Sequence, residues 1–116
     1  MRLINRAALT IIPRQPYVEW ANRVDDEEPK MNLDDPQDEY TFYLIDNVAN
    51  ERGVTAWLRK HFAEIFEEEL AAWMQDEKTW PPNRDYRMFR EWFDVQVSSM
   101  VIDLGQKRLA VEELDG

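Results

Sequence analysis

The sequence contains no cysteine, one histidine (His61) and three glycines (Gly53, Gly105 and Gly116) among its 116 residues. Because cysteine is absent, the chain has no disulfides, zinc–thiolate sites or thiol nucleophiles. With so few glycines it has no glycine-rich phosphate-binding loop. These absences remove several common catalytic and cofactor-binding motifs, and the sequence predicts no cofactor.

Long hydrophobic runs are also missing. The longest uninterrupted apolar runs are only a few residues long, whereas a membrane-spanning helix needs about 20. The first residues, Met1–Arg6, are not followed by the apolar segment of a signal peptide. We therefore expect no membrane span and a cytoplasmic location.

The residues that are present predict a folded core. Hydrophobic residues make up 44% of the chain and charged residues 33%, with five Trp, five Phe and four Tyr. Such a composition is typical of a globular domain, and aromatic side chains bury large areas. We expect one α+β domain over residues 1–104, followed by a loose polar C-terminal tail over 105–116.

The net charge of −10 is concentrated in one segment, residues 25–39. This acidic loop contains Pro29 and Pro36, and it carries −7 of the −10, which leaves −3 for the rest of the chain. Its eight acids are Asp25, Asp26, Glu27, Glu28, Asp34, Asp35, Asp38 and Glu39, against the single base Lys30. The field of such a loop disfavours direct nucleic-acid binding.

Apolar spacing predicts the elements in the order strand, helix, strand, long helix, short helix, strand. The expected strands cover Arg6–Ile12, Tyr40–Ile45 and Phe93–Leu104, because these stretches are rich in β-branched and aromatic residues. Helices are expected from about Pro16 to Val24, from Asn50 or Arg52 to Met74, and from about Tyr86. The predicted architecture is a small three-stranded sheet with one long and one or two short helices packed on it, in two layers. The sequence does not determine the order of the strands.

The last predicted strand changes its apolar side along its length. Phe93, Val95 and Val97 point one way, whereas Met100, Ile102 and Leu104 point the other. The inward face therefore changes near residues 98 and 99, which suggests a bulge there or a second half covered on both faces.

Glu69 is the most unusual residue of the long helix. Its helical neighbours Ile65, Phe66 and Trp73 are apolar, so the carboxylate falls in the middle of the apolar stripe. It is either a raised-pKa acid lining a pocket or one half of a structural ion pair. We favour the ion pair, with Arg87 or Arg90 as the partner, so that Glu69→Gln would cost roughly 3–5 kcal/mol.

Other residue sets suggest binding sites. Arg84, Arg87 and Arg90 recur every third residue, which predicts a ridge that binds an anion or forms salt bridges. Trp57 and Trp80 are candidates for a contact surface, although Trp80 would serve equally well as a cap on the core. Two metal sites are conceivable, one at His61, Glu64 and Glu68 and one at Asp34, Asp35, Asp38 and Glu39, but both sets are better explained as solvated charges and we predict no metal.

Three functions are compatible with these features. The best supported is a small non-catalytic module that binds another protein through its aromatic residues and its acidic loop. The alternatives are a small enzyme or metal-binding protein that uses Glu69, His61 and an arginine, and an acidic mimic of nucleic acid. The lack of catalytic motifs favours the first, and the sequence leaves open a homo-oligomer.

Overall fold

The computed structural model describes residues 1–25, 31–32, 40–47 and 50–114. The acidic loop predicted for residues 25–39 lies mostly outside these residues. The strands are β1 (Arg2–Ile4), β2 (Arg6–Pro13), β3 (Phe42–Asp46), β4 (Phe93–Ser98) and β5 (Val101–Asp103). The helices are α1 (Gln15–Val24), α2 (Glu51–Trp73) and α3 (Tyr86–Trp92), with a short 3₁₀ turn at Glu77–Thr79.

The α+β fold with a three-stranded sheet is confirmed. This sheet is antiparallel, with the order β3-β2-β4. A second sheet pairs β1 with β5, also antiparallel. The sequence analysis missed β1, which is only three residues long. It also predicted a single last strand, which the structure divides into β4 and β5.

The helices begin where a capping side chain accepts a hydrogen bond from a free backbone N–H of the first turn, or where a proline has no N–H that needs a partner. Asn50 caps α2 by accepting a 2.9 Å hydrogen bond from the backbone N–H of Gly53. Asp85 caps α3 by accepting a 2.8 Å bond from the N–H of Met88. Pro16 stands in the first turn of α1, where its missing N–H costs nothing. Of the helices in the described residues, none is long and apolar enough to cross a membrane.

The core lies between the three helices and one face of the three-stranded sheet. From β2 come Ala7, Leu9 and Ile11, which are fully buried because alternate residues of a strand face the same side. Against them pack the apolar stripes of the helices, which include Trp20, Leu58, Ile65, Phe66, Leu70 and Phe89. Several rings of this core lie 5 to 6 Å apart, such as Phe66 and Phe93 at 5.5 Å. The molecule is thus a two-layer structure in which the other face of the sheet carries no helix within the described residues.

The last strand departs from the sequence prediction in one respect. We expected the inward face to change near Ser98 and Ser99, but the partly buried residues beyond that point are Val101 and Asp103. Met100, Ile102 and Leu104 are instead 67%, 44% and 75% exposed. The prediction was wrong because the alternation of inward-facing and outward-facing residues in β4 continues into β5. The additional residue of the bulge lies instead on the opposite side, near Asn5, where β1 joins β2. Ser98 pairs with Ala8 and Val101 with Ile4, which leaves two residues opposite three.

Candidate functional site

Three elements meet around Glu69, which lies near the end of α2. Helix α1 contributes Tyr17, and strand β3 contributes Tyr43, whose side chain points to the same side of the sheet as the buried Ile45. Glu69 itself is half-buried, since its neighbours Phe66 and Leu70 are fully buried in the core. The fold therefore places a carboxylate between two phenols at the edge of the core.

Both phenols donate hydrogen bonds to this one residue. The hydroxyl of Tyr43 donates to Oε2 of Glu69 at 2.8 Å. The hydroxyl of Tyr17 donates to the backbone carbonyl oxygen of Glu69, also at 2.8 Å. A buried tyrosine hydroxyl needs a partner, and here the same residue of α2 serves two of them. The contacts fix the last turns of α2 against β3 and α1.

The surroundings of the carboxyl group make Glu69 a weaker acid than an exposed glutamate. Burial raises the pKa of Glu69 above its ordinary value, and the negative charge of Glu68 raises it further, whereas the hydrogen bond from Tyr43 lowers it. Burial also raises the pKa of Tyr43 and of Tyr17, and the carboxylate of Glu69 adds to both shifts. Both phenols are therefore weaker acids than an exposed tyrosine, and they contact Glu69 as neutral hydrogen-bond donors.

A small cleft of about 200 Å³ opens beside this carboxyl group. Its described walls are mainly aromatic and apolar, and Glu69 is the one acidic residue among the lining residues that the structure describes. The lining residues are Pro13, Tyr17, Met31, Tyr40, Thr41, Glu69, Ala72 and Trp73. Such a cleft combines a half-buried acid with aromatic lining residues, a composition that suits a small cationic group.

The predicted ion pair between Glu69 and Arg87 or Arg90 is wrong. Arg87 pairs with Glu91 on its own helix at 3.1 Å, and Arg90 donates to the hydroxyl of Tyr86 at 3.2 Å. The partner of the Glu69 carboxylate in the described residues is the neutral phenol of Tyr43. The functional alternative stated from the sequence, an acid of raised pKa that lines a pocket, agrees with this geometry.

The three arginines proposed as an anion-binding ridge point to different places. Arg84 precedes α3, where it lies 3.2 Å from Glu67 and 5.6 Å from the ring of Trp80. Arg87 and Arg90 instead border a shallow cleft at the start of α1, together with Arg14. Two of the predicted three, Arg84 and Arg87, thus form salt bridges, which is the alternative stated from the sequence, and anion binding by Arg84, Arg87 and Arg90 stays a prediction.

His61 lies away from Glu69. Its ring stacks on Trp57 with the centroids 4.4 Å apart. Eight residues separate His61 from Glu69, which is about 12 Å along the axis of a helix. Within the described part of the chain no three His, Asp or Glu side chains are grouped to hold a metal ion. The candidate calcium ligands Asp34, Asp35, Asp38 and Glu39 lie outside the described residues.

The two tryptophans proposed as a contact surface are both partly buried against the core. The indole N–H of Trp80 donates to the carbonyl oxygen of Met74 at 2.8 Å. Trp80 therefore covers the end of α2, and this contact favours the core-capping alternative for it. Trp57 stacks on His61 and stays partly exposed, so its role in a contact surface remains a prediction.

The sequence analysis missed Tyr17, Tyr43 and Tyr40 as site residues. A signal was available, because Tyr17 lies on the predicted apolar face of α1 and Tyr43 is in phase with Ile45 on the predicted strand. A phenol on a buried face must find a hydrogen-bond acceptor, and Glu69 was the one acid predicted within an apolar stripe.

Comparison with known proteins gives no relative for this chain: no protein-family model, no curated protein and no solved structure matches it.

Proposed function

We propose that the chain is a non-catalytic module that binds a basic segment of another protein, and that one lysine side chain of this segment enters the cleft beside Glu69. The observation that carries the proposal is the half-buried carboxylate, which lacks a cationic partner among the described residues and opens onto an aromatic cleft. A carboxylate in such a place costs stability. An incoming ammonium group would supply the missing counter-charge.

The walls of the cleft suit an alkylammonium group. Of the aromatic residues that line the cleft, Tyr40 is exposed, Trp73 is partly buried and Tyr17 is buried. The faces of aromatic rings attract cations, and the attraction is largest where water is excluded. The four-carbon stem of lysine would pack against the apolar side chains Met31 and Ala72. A volume of about 200 Å³ accommodates one such side chain but not a large ligand.

Long-range charge favours the same kind of partner. The segment 25–39 carries −7, and the cleft residue Met31 belongs to this segment while Tyr40 and Thr41 follow it directly. Acids that are chain neighbours of the cleft would attract a basic partner and increase its rate of association. The acidic loop would then provide attraction, and Glu69 would provide selectivity for one lysine.

The experiment compares two short peptides that differ in charge alone. Isothermal titration would use a basic peptide with one central lysine and the same peptide with norleucine in place of that lysine. We expect the lysine peptide to bind more tightly, and Glu69→Gln to weaken its binding by about tenfold, since a charge-assisted contact contributes roughly 1.5–3 kcal/mol. The norleucine peptide should bind wild type and Glu69→Gln equally.

Glu64→Gln is the matched control, because it removes the same charge from an exposed position of the same helix. It should leave the preference for lysine over norleucine unchanged. Equal affinity of wild type for the two peptides would contradict the proposal. A preference for lysine that survives Glu69→Gln would assign recognition to the acidic loop and overturn the role given to the cleft.

The enzyme alternative rests on the same raised pKa of Glu69. A general acid of this kind needs a second reacting group within reach. The described groups that contact Glu69 are two phenols whose pKa values are raised, and His61 is stacked on Trp57 instead. Binding of a cation would therefore use the Glu69 carboxylate, the two phenols that contact Glu69 and the cleft, whereas catalysis would use Glu69 alone.

A further inference from the structure

The sheet face opposite the helices carries a row of exposed apolar side chains. Leu44 of β3 and Ser98 of β4 both pair with Ala8, while Phe42 pairs with Thr10. Residues that pair across an antiparallel sheet share a face, so these side chains lie opposite the buried Leu9. Phe42 is 64% exposed and Leu44 is 51% exposed.

The β1–β5 pair extends this face. Leu3 stands directly opposite Ile102, and Met100 and Leu104 are each two residues from Ile102 along the chain. Met100, Ile102 and Leu104 are each an even number of positions from Ser98. The alternation of side chains along a strand therefore places them on the same side of the sheet as Leu44. Leu3 is 68% exposed. A two-stranded ribbon is marginally stable when its apolar face is left in water.

Together these residues form a surface that we call the outer face: Leu3, Phe42, Leu44, Met100, Ile102 and Leu104. Each of them is 44% to 75% exposed, so together they make an apolar patch on the order of 600–700 Å², at the upper end for a typical monomer. Two such faces packed together would bury about 1,400 Å², which is within the range of stable interfaces.

The charges on this face are compatible with a second copy of the same chain. Arg6 and Asp46, which carry opposite charges, stand opposite each other in the register of β2 and β3, and the other described charge in phase with them on the three-stranded sheet is Asp94. The face is therefore close to neutral, although the whole chain carries −10. A near-neutral apolar surface gives little selectivity for a partner of opposite charge, whereas a two-fold axis lets each copy cover the same surface of the other.

We propose that the outer face is a homodimer interface in which the sheets of two copies pack face to face, with the helices on the outside. Two sheets packed in this way lie about 10 Å apart, and their side chains interdigitate to form a second core. The dimer leaves the Glu69 cleft accessible, because that cleft lies on the helical side of the sheet. The inference is independent of the proposed binding of lysine.

Sedimentation velocity of the full chain tests this proposal. We expect wild type to sediment as a dimer of about 28 kDa, since the chain has a mass of 13.9 kDa. Leu44→Lys and Ile102→Lys should each give a monomer, because every dimer would then bury two unpaired ammonium groups. These two residues lie on different strands and are half-exposed, so either substitution leaves the main core intact.

Val111→Lys is the matched control, because Val111 is an apolar residue that is 82% exposed and lies outside the outer face. This variant should remain a dimer, and near-ultraviolet circular dichroism should show the same tryptophan environment in all variants. High salt should preserve the wild-type dimer, since an apolar interface is not weakened by screening. Wild type that stays monomeric at every concentration, or a dimer that both face variants leave intact, would overturn the proposal.

Discussion

The hydroxyl of Tyr43 donates a 2.8 Å hydrogen bond to Oε2 of Glu69, and this bond joins strand β3 to helix α2 at the edge of the core. The two residues are 26 positions apart in the sequence. The acid thus receives one neutral donor in place of a counter-charge. It is held in a fixed position, but its charge is not neutralised, and this combination makes it available to a cationic ligand.

Removing the hydroxyl of Tyr43 should destabilise the protein. Tyr43→Phe leaves the half-buried carboxylate short of its donor, and we expect the free energy of unfolding to fall by about 1–2 kcal/mol at neutral pH. Urea denaturation followed by tryptophan fluorescence measures the difference. Tyr40→Phe is the control, because Tyr40 is an exposed tyrosine that lines the same cleft. Equal losses for the two variants would argue against a specific role for the Tyr43–Glu69 bond.

The same contact should keep Tyr43 from ionising in the folded protein. Burial and the negative charge of Glu69 raise the pKa of Tyr43 well above its ordinary value of 10.0. The ultraviolet absorbance change of phenolate formation should therefore have the same size in wild type and Tyr43→Phe up to about pH 11, provided that the fold is intact. In guanidinium chloride, which unfolds the chain, the absorbance change of Tyr43→Phe should be smaller than that of wild type by the contribution of one phenol. A smaller change in the folded variant would mean that Tyr43 titrates normally.

Periodicity predicted most of the fold, for a physical reason. The apolar stripes of α1 and α2 bury large areas, so the spacing of residues such as Trp20 and Leu58 determines which side faces the core. The site was harder to predict because its partners come from β3 and α1, and a hydrogen bond between Tyr43 and Glu69 depends on how these elements pack. Arginine was the expected partner since charge pairing is the general rule for buried acids, whereas a phenol satisfies the acid through one hydrogen bond.

The exposed half of the last strand illustrates a different limit. The apolar residues Met100, Ile102 and Leu104 were assigned to an inward face because apolar residues normally face a core. Their apolar spacing predicts that these side chains are buried, but it does not show whether the same chain or another chain buries them. The described residues leave them exposed, and the proposed dimer would supply the cover from a second copy.

Neutralising acids of the 25–39 segment should weaken binding of the basic peptide without changing its preference for lysine. Asp34→Asn with Asp35→Asn removes two charges that attract the partner over a distance. We expect slower association and a shallower dependence of affinity on salt, both measurable by stopped-flow fluorescence. The control pair, Glu112→Gln with Glu113→Gln, removes the same charge from the segment after β5. If both pairs had the same effect, net charge alone would govern association.

Trp80 should contribute to stability more than to binding. Its indole N–H donates to Met74, the residue that ends α2. Trp80→Phe removes this donor and should lower the free energy of unfolding by about 1–2 kcal/mol, measured by thermal denaturation. Peptide affinity should remain within about twofold of wild type. A variant of normal stability that loses affinity would restore Trp80 as part of a contact surface.

The pH dependence of stability separates the present account of Glu69 from an ion pair. The folded-state pKa of Glu69 is raised above its ordinary value of 4.5, mainly by burial. As the pH rises through 4.5, the unfolded chain loses this proton first, so wild type loses stability until the folded carboxyl also ionises. Glu69→Gln has no such loss and retains an acceptor for Tyr43. The stability of Glu69→Gln relative to wild type should therefore increase with pH from about 4.5, at no more than about 1.4 kcal/mol per unit, and then level off.

Urea denaturation at a series of pH values measures this difference, with Glu64→Gln as the control that should show no such trend. An ion pair predicts the opposite sign, because a paired acid has a lowered pKa and Glu69→Gln would then lose several kcal/mol at neutral pH.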